Sequence, residues 1–130
     1  MSEALQDAGV RPGEVDYINA HGTGTILNDQ VETLAIKAVW GEEAYQVPVS
    51  STKSMIGHCL GAAGGLEAVA SLLAIQHHFI APTAGFERGD QICDLDYCPQ
   101  PKNKEVRITL SNSFAFGGNC TALVFGTGDL

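Results

Sequence analysis

The sequence has few basic residues. Seven lysines and arginines stand against fifteen aspartates and glutamates in 130 residues, which gives a formal net charge of −8. Because nucleic acids are recognised through clustered positive charge, this balance argues against a nucleic-acid partner. The one local group of basic residues, Lys102, Lys104 and Arg107, is typical of a solvated strand entry.

Long apolar runs are also missing. The longest, LEAVASLLAIQ, contains Glu67 and is shorter than the roughly 20 residues that a helix needs to cross a bilayer. The N-terminal MSEALQDAGV has acids where a secretion signal has a basic region followed by an apolar one. We therefore expect a cytoplasmic protein without a membrane partner.

Cysteine is too sparse for a disulfide scaffold. The four cysteines are Cys59, Cys93, Cys98 and Cys120, whereas small secreted domains are short and dense in cysteine. Cys93 and Cys98 have C-x4-C spacing, but no second pair and no H-x3–5-H follows, so zinc is weakly supported. We expect four reduced thiols and no metal site.

Several ligand and catalytic motifs are absent as well. The chain contains neither G-x-G-x-x-G nor G-x4-G-K-[ST], the glycine-rich patterns that cradle dinucleotides and nucleoside triphosphates. It also lacks the G-x-S-x-G turn of serine hydrolases. No cofactor is expected.

What the sequence does contain is an alternation of helix and strand patterns. The predicted elements are a helix over 2–9 capped by Ser2 and Gly9, a strand over 15–20, a helix from Asn28 or Asp29 to Gly41, a strand over 46–50, a helix over 57–74, a surface excursion over 81–103, and strands over 105–113 and 121–125. This order predicts an α/β fold with a mixed sheet. Its first strands are parallel and its last two form an antiparallel hairpin.

Polar and glycine-rich segments follow three of the predicted strands. They are HGTGT at 21–25, KSMIGH at 53–58 and FAFGG at 114–118. Sites in open α/β sheets form at the carboxyl ends of parallel strands, so we expect these segments to converge.

Each candidate residue also has a structural interpretation. His21 suits a turn in which its ring bonds a nearby carbonyl. His58, placed at the start of the predicted helix, would have a lowered pKa and a neutral imidazole that donates a hydrogen bond. Lys53 is either a solvated loop residue or the partner of Glu67, which interrupts an apolar helix face. That pair could be purely structural.

Together the motifs resemble a known family. Three motifs are similar to those of the β-ketoacyl-acyl carrier protein synthases. The first is Asn19-Ala-His-Gly-Thr-Gly-Thr25 with Asn28, Asp29 and Glu32. The second is Lys53-Ser-x-x-Gly-His58 with 61–64 and Glu67, and the third is Asn112-Ser-Phe-x-Phe-Gly-Gly118. The resemblance covers nearly the whole chain but only the C-terminal half of the family. It implies a thiolase-like fold, in which two such halves form an α/β/α/β/α arrangement.

The resemblance implies roles for the motif residues. His21 and His58 would hold the malonyl thioester oxygen as loss of carbon dioxide turns it into an enolate. Lys53 would orient the site, with Glu67 as its buried partner. The backbone N–H of Phe116 would be an oxyanion donor and its ring a gate. Further supporting residues are Gly117 and Gly118, which would let that loop move, and Thr23, Thr25 and Phe114.

Two departures from the family pattern stand out. The nucleophilic cysteine of the family belongs to the N-terminal half, and neither Cys59 nor Cys120 lies in its strand-to-helix context. Asn119-Cys120 replaces the usual Thr-Asn after Phe-Gly-Gly. Residues 1–130 are thus expected to be one C-terminal ketosynthase domain whose nucleophile-bearing half is absent.

Such a domain would serve decarboxylative condensation in fatty-acid or polyketide synthesis. Alone it would not complete the reaction, because the covalent step needs the missing thiol. Expected partners are an acyl carrier protein with malonyl and acyl thioesters, the N-terminal ketosynthase half, and a second chain in a homodimer or heterodimer. The alternative is a non-catalytic partner subunit like the chain-length factors, and a ligand-binding or assembly module on the same fold also stays open.

Overall fold

The computed structural model describes residues 1–128. Its helices are α1 (Ser2–Ala8), α2 (Ile26–Trp40), α3 (Lys53–Ile56) and α4 (Ala63–His77). Its strands are β1 (Tyr17–Asn19), β2 (Val49–Ser50), β3 (Phe79–Ile80), β4 (Lys102–Asn103), β5 (Ile108–Phe114) and β6 (Cys120–Gly126). Short 3₁₀ turns cover Pro12–Glu14, Gly41–Tyr45, Leu60–Ala62 and Phe116–Gly118.

Four of the strands form one mixed sheet in the order β2-β1-β5-β6. Strand β1 is parallel to both β2 and β5, and β5 is antiparallel to β6. The predicted α/β class and the final hairpin are thereby confirmed. The small sheet β3-β4 closes the base of the 81–103 excursion.

Apolar side chains of β1 and its two neighbours build the centre of the core. Ile18 is aligned with Val49 on β2 and with Leu110 on β5, and all three are buried. The helices α1 and α2 add Leu5, Ile36 and Trp40 to the same cluster. The short central strand is thereby fixed in register, and so is the turn that follows it.

Helix α2 buries a different face from the one its apolar pattern predicts. Residues 31, 34, 35, 38 and 39 recur at helical spacing, but Val31 and Leu34 are each 54% exposed. The buried positions are Glu32, Thr33, Ile36 and Trp40. The inward face carries polar groups because they bond to the turn after β1 and to the excursion.

The long helix α4 begins six residues later than predicted. A short helix, α3, and a 3₁₀ turn occupy 53–62, and α4 starts at Ala63. The prediction that His58 lies at a helix N-terminus was therefore wrong. The caps of the two earlier helices also differ, since Met1 precedes α1 and Thr25 precedes α2. Gly9 and Gly41 end their helices as predicted.

The two faces of α4 have opposite character. Its buried positions are Ala63, Glu67, Ser71 and Ala74, which are small or polar. Its large apolar side chains are exposed: Leu66, Val69, Leu72 and Leu73. Small residues let the helix lie close to β5, since a Cβ added at Gly64 would come within 3.5 Å of Ser113 Oγ. The outer apolar face has no cover within residues 1–128.

Ion pairs hold the excursion against the rest of the molecule. Lys37 on α2 pairs with Asp94, and Lys102 on β4 pairs with Asp96. The carbonyl of Asp96 also accepts a 2.8 Å hydrogen bond from the N–H of Val49, which covers the outer edge of β2. Among residues 1–128, none of the helices is both long and apolar enough to span a bilayer.

Candidate active site

The turn after β1 is held on both sides of its backbone. The Oγ of Ser51 donates a 2.7 Å hydrogen bond to the carbonyl of Gly22. Gly22 has φ +40°, and a Cβ there would lie 2.5 Å from the Cβ of Ser51. Only glycine fits this approach, so the first and second motifs meet directly at the carboxyl ends of β1 and β2.

A buried carboxylate on α2 fixes the other side of the turn. The oxygens of Glu32 accept 2.8 Å hydrogen bonds from the backbone N–H groups of His21 and Gly22. Side-chain amides of Asn112 (3.1 Å) and Asn28 (3.4 Å) donate to the same carboxylate. Burial raises the pKa of Glu32, while these donors act against the shift. Glu32 thus ties the first motif to the third, which begins at Asn112.

Three rings of the candidate site lie together. The ring centroids of His21 and His58 are 5.5 Å apart at 87°, an edge-to-face arrangement. The ring of Phe114 lies 5.4 Å from that of His21. One residue from each motif is present, so the predicted convergence at the sheet edge is what the chain adopts.

His21 is held in its neutral form. Burial lowers the pKa of its imidazole to about 4, with smaller contributions from the neighbouring Lys53 and His58. Its Nδ1 is buried without a hydrogen-bond partner among residues 1–128. A neutral imidazole carries one N–H and one free nitrogen, so it can donate to a carbonyl or take up a proton.

The tautomer of His58 follows from one backbone contact. Its Nδ1 accepts a 3.2 Å hydrogen bond from the N–H of Leu60. A neutral ring in this contact carries its proton on Nε2. His58 lies on the exposed turn between α3 and α4. Its Nε2–H is therefore a donor available to a substrate.

Lys53 and Glu67 form a buried ion pair. The Nζ of Lys53 donates to Glu67, and both side chains are almost fully buried. The second carboxylate oxygen of Glu67 accepts a 3.4 Å hydrogen bond from the hydroxyl of Ser113. The side-chain amide of Asn19 donates to the backbone carbonyl of Glu67 at 3.3 Å. The pair joins all three motifs beneath the histidines.

The remaining supporting residues lie nearer the surface. The hydroxyls of Thr23 and Thr25 are 3.0 Å apart, and Thr25 precedes the first turn of α2. Phe116 is fully exposed on the turn between β5 and β6 and has no ring contact with the histidines. Gly117 and Gly118 give that turn its left-handed backbone, with φ +79° and +81°.

Two of the cysteines adjoin the ring cluster along the backbone, since Cys59 follows His58 and Cys120 is aligned with Phe114 across β5 and β6. All four are free thiols, with Cys59 and Cys120 exposed and Cys98 buried. Burial raises the pKa of the Cys98 thiol to about 11, which disfavours the thiolate. No three His, Cys, Asp or Glu side chains within the described part of the chain group closely enough to hold a metal ion.

Glu32 and Asn112 are the site residues that the sequence analysis did not single out. Both appear there only as parts of the motifs, and Glu32 lies at the seventh position of α2. The available signal was chemical. A glutamate next to apolar positions must either reach water or find buried donors.

Comparison with known proteins places these motifs in a family. The model of the β-ketoacyl synthase C-terminal domain matches residues 1–87, which include His21, Lys53, His58 and Glu67. Nodulation protein E of Rhizobium meliloti is 50% identical over 126 residues, 96% of this chain and 31% of that protein. The 3-oxoacyl-[acyl-carrier-protein] synthase 2 of Synechocystis sp. is 53% identical over 123 residues, 94% of this chain and 30% of that protein. The chain thus spans about a third of the length of these curated relatives.

Solved structures show the same fold. The ishigamide ketosynthase/chain length factor superposes with a TM-score of 0.92 at 46% identity, over 97% of this chain and 31% of that one. A β-ketoacyl synthase of Burkholderia phymatum superposes with a TM-score of 0.90 at 38% identity, over 97% and 31%. The thiolase-like fold class is thereby confirmed, and the chain belongs to the β-ketoacyl synthase family as its C-terminal domain.

Proposed function

We propose that this chain is the histidine-bearing part of a 3-oxoacyl-[acyl-carrier-protein] synthase. It would act in the condensation of a malonyl thioester with an enzyme-bound acyl chain, in fatty-acid or polyketide synthesis. The observation that carries the proposal is the edge-to-face pair of His21 and His58 above the buried Lys53–Glu67 pair.

The histidine pair suits the decarboxylation step. The bond between the malonyl carboxylate and its methylene carbon breaks, carbon dioxide leaves, and the electron pair moves towards the thioester oxygen. The Nε2–H of His58 and a neutral His21 can both donate to that oxygen as its charge grows. Donors aimed at developing charge stabilise the transition state more than the ground state. The buried charge of Lys53 helps to keep His21 neutral.

The condensation step requires a thiol that this chain does not place at the site. The enolate carbon attacks the acyl thioester carbonyl, a carbon–carbon bond forms, and the thiolate leaves. The exposed thiol of Cys59 contacts the backbone carbonyls of Ile56 and Gly57, and within residues 1–128 neither Cys59 nor Cys120 has a hydrogen bond to a basic side chain. We therefore propose that the nucleophile comes from another part of the enzyme, and that residues 1–130 alone do not condense.

Support for the protein partners comes from the relatives. One similar structure holds a type II polyketide acyl-carrier protein in complex with its ketosynthase, and two others pair a ketosynthase with a chain length factor. We propose an acyl carrier protein as the substrate carrier, with a ketosynthase half and a second subunit as structural partners. The histidines and Lys53 would be dispensable in a non-catalytic subunit, so their geometry favours the catalytic role.

The test is the rate of carbon dioxide release from malonyl-acyl carrier protein by the full-length protein. We expect His21→Ala and His58→Ala each to lower this rate by about 10²–10³-fold, the usual effect of losing one such donor. His77→Ala, at an exposed position at the end of α4, is the matched control and should leave the rate unchanged. If both active-site variants decarboxylate at the wild-type rate, the catalytic assignment is wrong.

A further inference from the structure

A cavity of about 630 Å³ lies between helix α2, the turn at 22–24 and loop 83–93 of the excursion. This volume falls in the range of small-molecule sites, which is about 300–1,000 Å³. Lys53 and His58 border the cavity, whereas His21, Phe114 and Glu67 do not line it. The cavity therefore adjoins the candidate active site without being the histidine cluster itself.

Most of the cavity wall is apolar. Ile36 and Val49 contribute buried side chains, and the rings of Phe86 and Tyr97 pack with centroids 5.3 Å apart. The hydroxyl of Tyr97 is already used, because it lies 2.5 Å from the Oγ1 of Thr33, which itself donates to a backbone carbonyl. A ligand in this space would have an apolar body.

One side chain on the cavity rim has an uncompensated charge. Of the seven lysines and arginines, Arg88 alone has neither an ion pair nor a hydrogen bond within residues 1–128. The other cation that lines the cavity, Lys53, is paired with Glu67. A guanidinium beside an apolar cavity presents donors that match a carboxylate or a phosphate.

Acidic side chains restrict where an anion could sit. Asp29, Glu32 and Asp90 also line the cavity. Each already accepts hydrogen bonds from nearby N–H groups, such as the 2.7 Å bond from Cys93 N to Asp90. The charges of Asp29 and Glu32 repel a second anion from the α2 side, whereas Asp90 lies on the loop that carries Arg88. The anionic end of a ligand would therefore lie at Arg88, with its apolar body towards Ile36 and Val49.

We propose that this cavity is a second ligand site, which takes a molecule with an apolar body and one terminal anionic group held by Arg88. The chemistry is shared by alkyl carboxylates and alkyl phosphates. The cavity shares Thr23, Glu32, Lys53 and His58 with the candidate active site, but Arg88 and the apolar wall have no role in the proposed mechanism.

The first experiment is calorimetric titration of the full-length protein with matched probes. Decanoate and decyl phosphate supply body and charge, decanol supplies the body alone, and acetate supplies the charge alone. We expect decanoate, decyl phosphate or both to bind at least tenfold more tightly than decanol and acetate, since a hydrogen bond to a charged group is worth about that factor. Binding of only one of the two anions identifies the head group.

Two variants connect the binding to Arg88. Arg88→Gln should weaken binding of the anionic probe by about tenfold or more, through loss of the charge-assisted hydrogen bond. Arg11→Gln removes the same charge from an exposed arginine paired with Glu14, and should leave the affinity unchanged. Equal affinities of wild type and Arg88→Gln, or of decanoate, decyl phosphate and decanol, would overturn the proposal.

The location is checked separately from any enzymatic activity. A decanoate analogue with a terminal diazirine is photolysed on the protein, and the labelled peptides are identified by mass spectrometry. We expect label in residues 20–54 or 83–97, reduced in Arg88→Gln and retained in Arg11→Gln. Label confined to other peptides excludes the cavity. Because His21→Ala leaves the cavity lining intact, its binding should equal that of wild type whether or not the proposed reaction is correct.

Discussion

At the scale of single residues, the buried carboxylate of Glu32 organises the site more than its sequence position suggests. It accepts hydrogen bonds from two backbone N–H groups and two side-chain amides, and no lysine or arginine pairs with it within residues 1–128. Neutral donors can hold a buried carboxylate only when they are fixed in place. The position of His21 thus depends on a residue of α2 that touches no substrate in the proposed reaction.

The lowered pKa of His21 predicts a pH dependence of stability. The unfolded chain binds a proton on this residue near its ordinary pKa of 6.5, whereas the folded chain does so near 4. Between these values the unfolded state holds more protons, so the free energy of unfolding falls as the pH is lowered from about 6.5 to 4. The loss is on the order of 2 kcal/mol. Urea unfolding of the full-length protein at several pH values measures it.

Two variants make this prediction specific. His21→Gln should flatten the profile between pH 6.5 and 4, whereas His77→Gln, at an exposed position, should keep the wild-type slope. A carbon-13 NMR titration of the histidine rings should show the His21 signal with a midpoint near 4. A midpoint near 6.5 would contradict the burial of the ring.

Much of the chemistry of the site was predictable from the sequence, because its polar side chains belong to short motifs that also contain glycine. The proximity of His21 and His58, and the pairing of Lys53 with Glu67, match the expectations from the motifs. Glu32 was missed partly because two of its four hydrogen-bond donors are backbone N–H groups. Such donors are present at every residue and leave no mark in the sequence.

At the scale of elements, the closest contact between the strand-end turns is the approach of Gly22 to Ser51. Gly22→Ala would place a Cβ 2.5 Å from the Cβ of Ser51 at φ +40°, so one of the two turns must move. We expect the free energy of unfolding to drop by about 2 kcal/mol or more, from strain and the displaced hydrogen bond. Thermal unfolding and carbon dioxide release of the full-length protein measure both effects.

The matched control is Gly61→Ala. Gly61 has no left-handed φ, and a Cβ there meets nothing within 4 Å. Its stability and decarboxylation rate should stay close to wild type. Equal behaviour of the two alanine variants would mean that the Gly22–Ser51 contact is not needed to place His21.

The order and type of the main elements were predictable from alternating patterns and glycine stops, but the faces of the helices were not. Apolar periodicity predicts burial only when a helix packs its largest side chains against its own sheet. Here α4 turns only small or polar residues inward, and α2 buries Glu32 and Thr33 beside its apolar positions while Val31 and Leu34 stay exposed. Helix α4 also starts later than predicted, because the segment that contains His58 forms a turn at the site rather than a part of the helix.

At the scale of the whole molecule, the outer face of α4 is an apolar surface without cover. Leu66, Val69, Leu72 and Leu73 are each 42–54% exposed. Full burial of such side chains is worth about 1.5–3 kcal/mol each. A face of this kind drives association, and in the proposed enzyme it would pack against the other ketosynthase half.

Leu72→Lys tests this surface in two proteins, through the self-association of the 130-residue chain and the melting temperature of the full-length protein. In the 130-residue chain alone, a charge on the face should reduce self-association in sedimentation velocity experiments. In the full-length protein the same charge would be buried, so the melting temperature should fall by several degrees. Unchanged behaviour of Leu72→Lys in both proteins would show that this face stays in water.

The outer edge of β6 has a kinetic consequence. Strand β6 is the seven-residue run CTALVFG, it carries no charge, and no strand pairs with its outer side within residues 1–128. Pairing between two such edges is a bimolecular event that competes with unimolecular folding. Doubling the protein concentration therefore quadruples the initial rate of pairing but only doubles the rate of folding. The yield of the folded chain should be set by how dilute it is when it folds, more than by how stable it becomes afterwards.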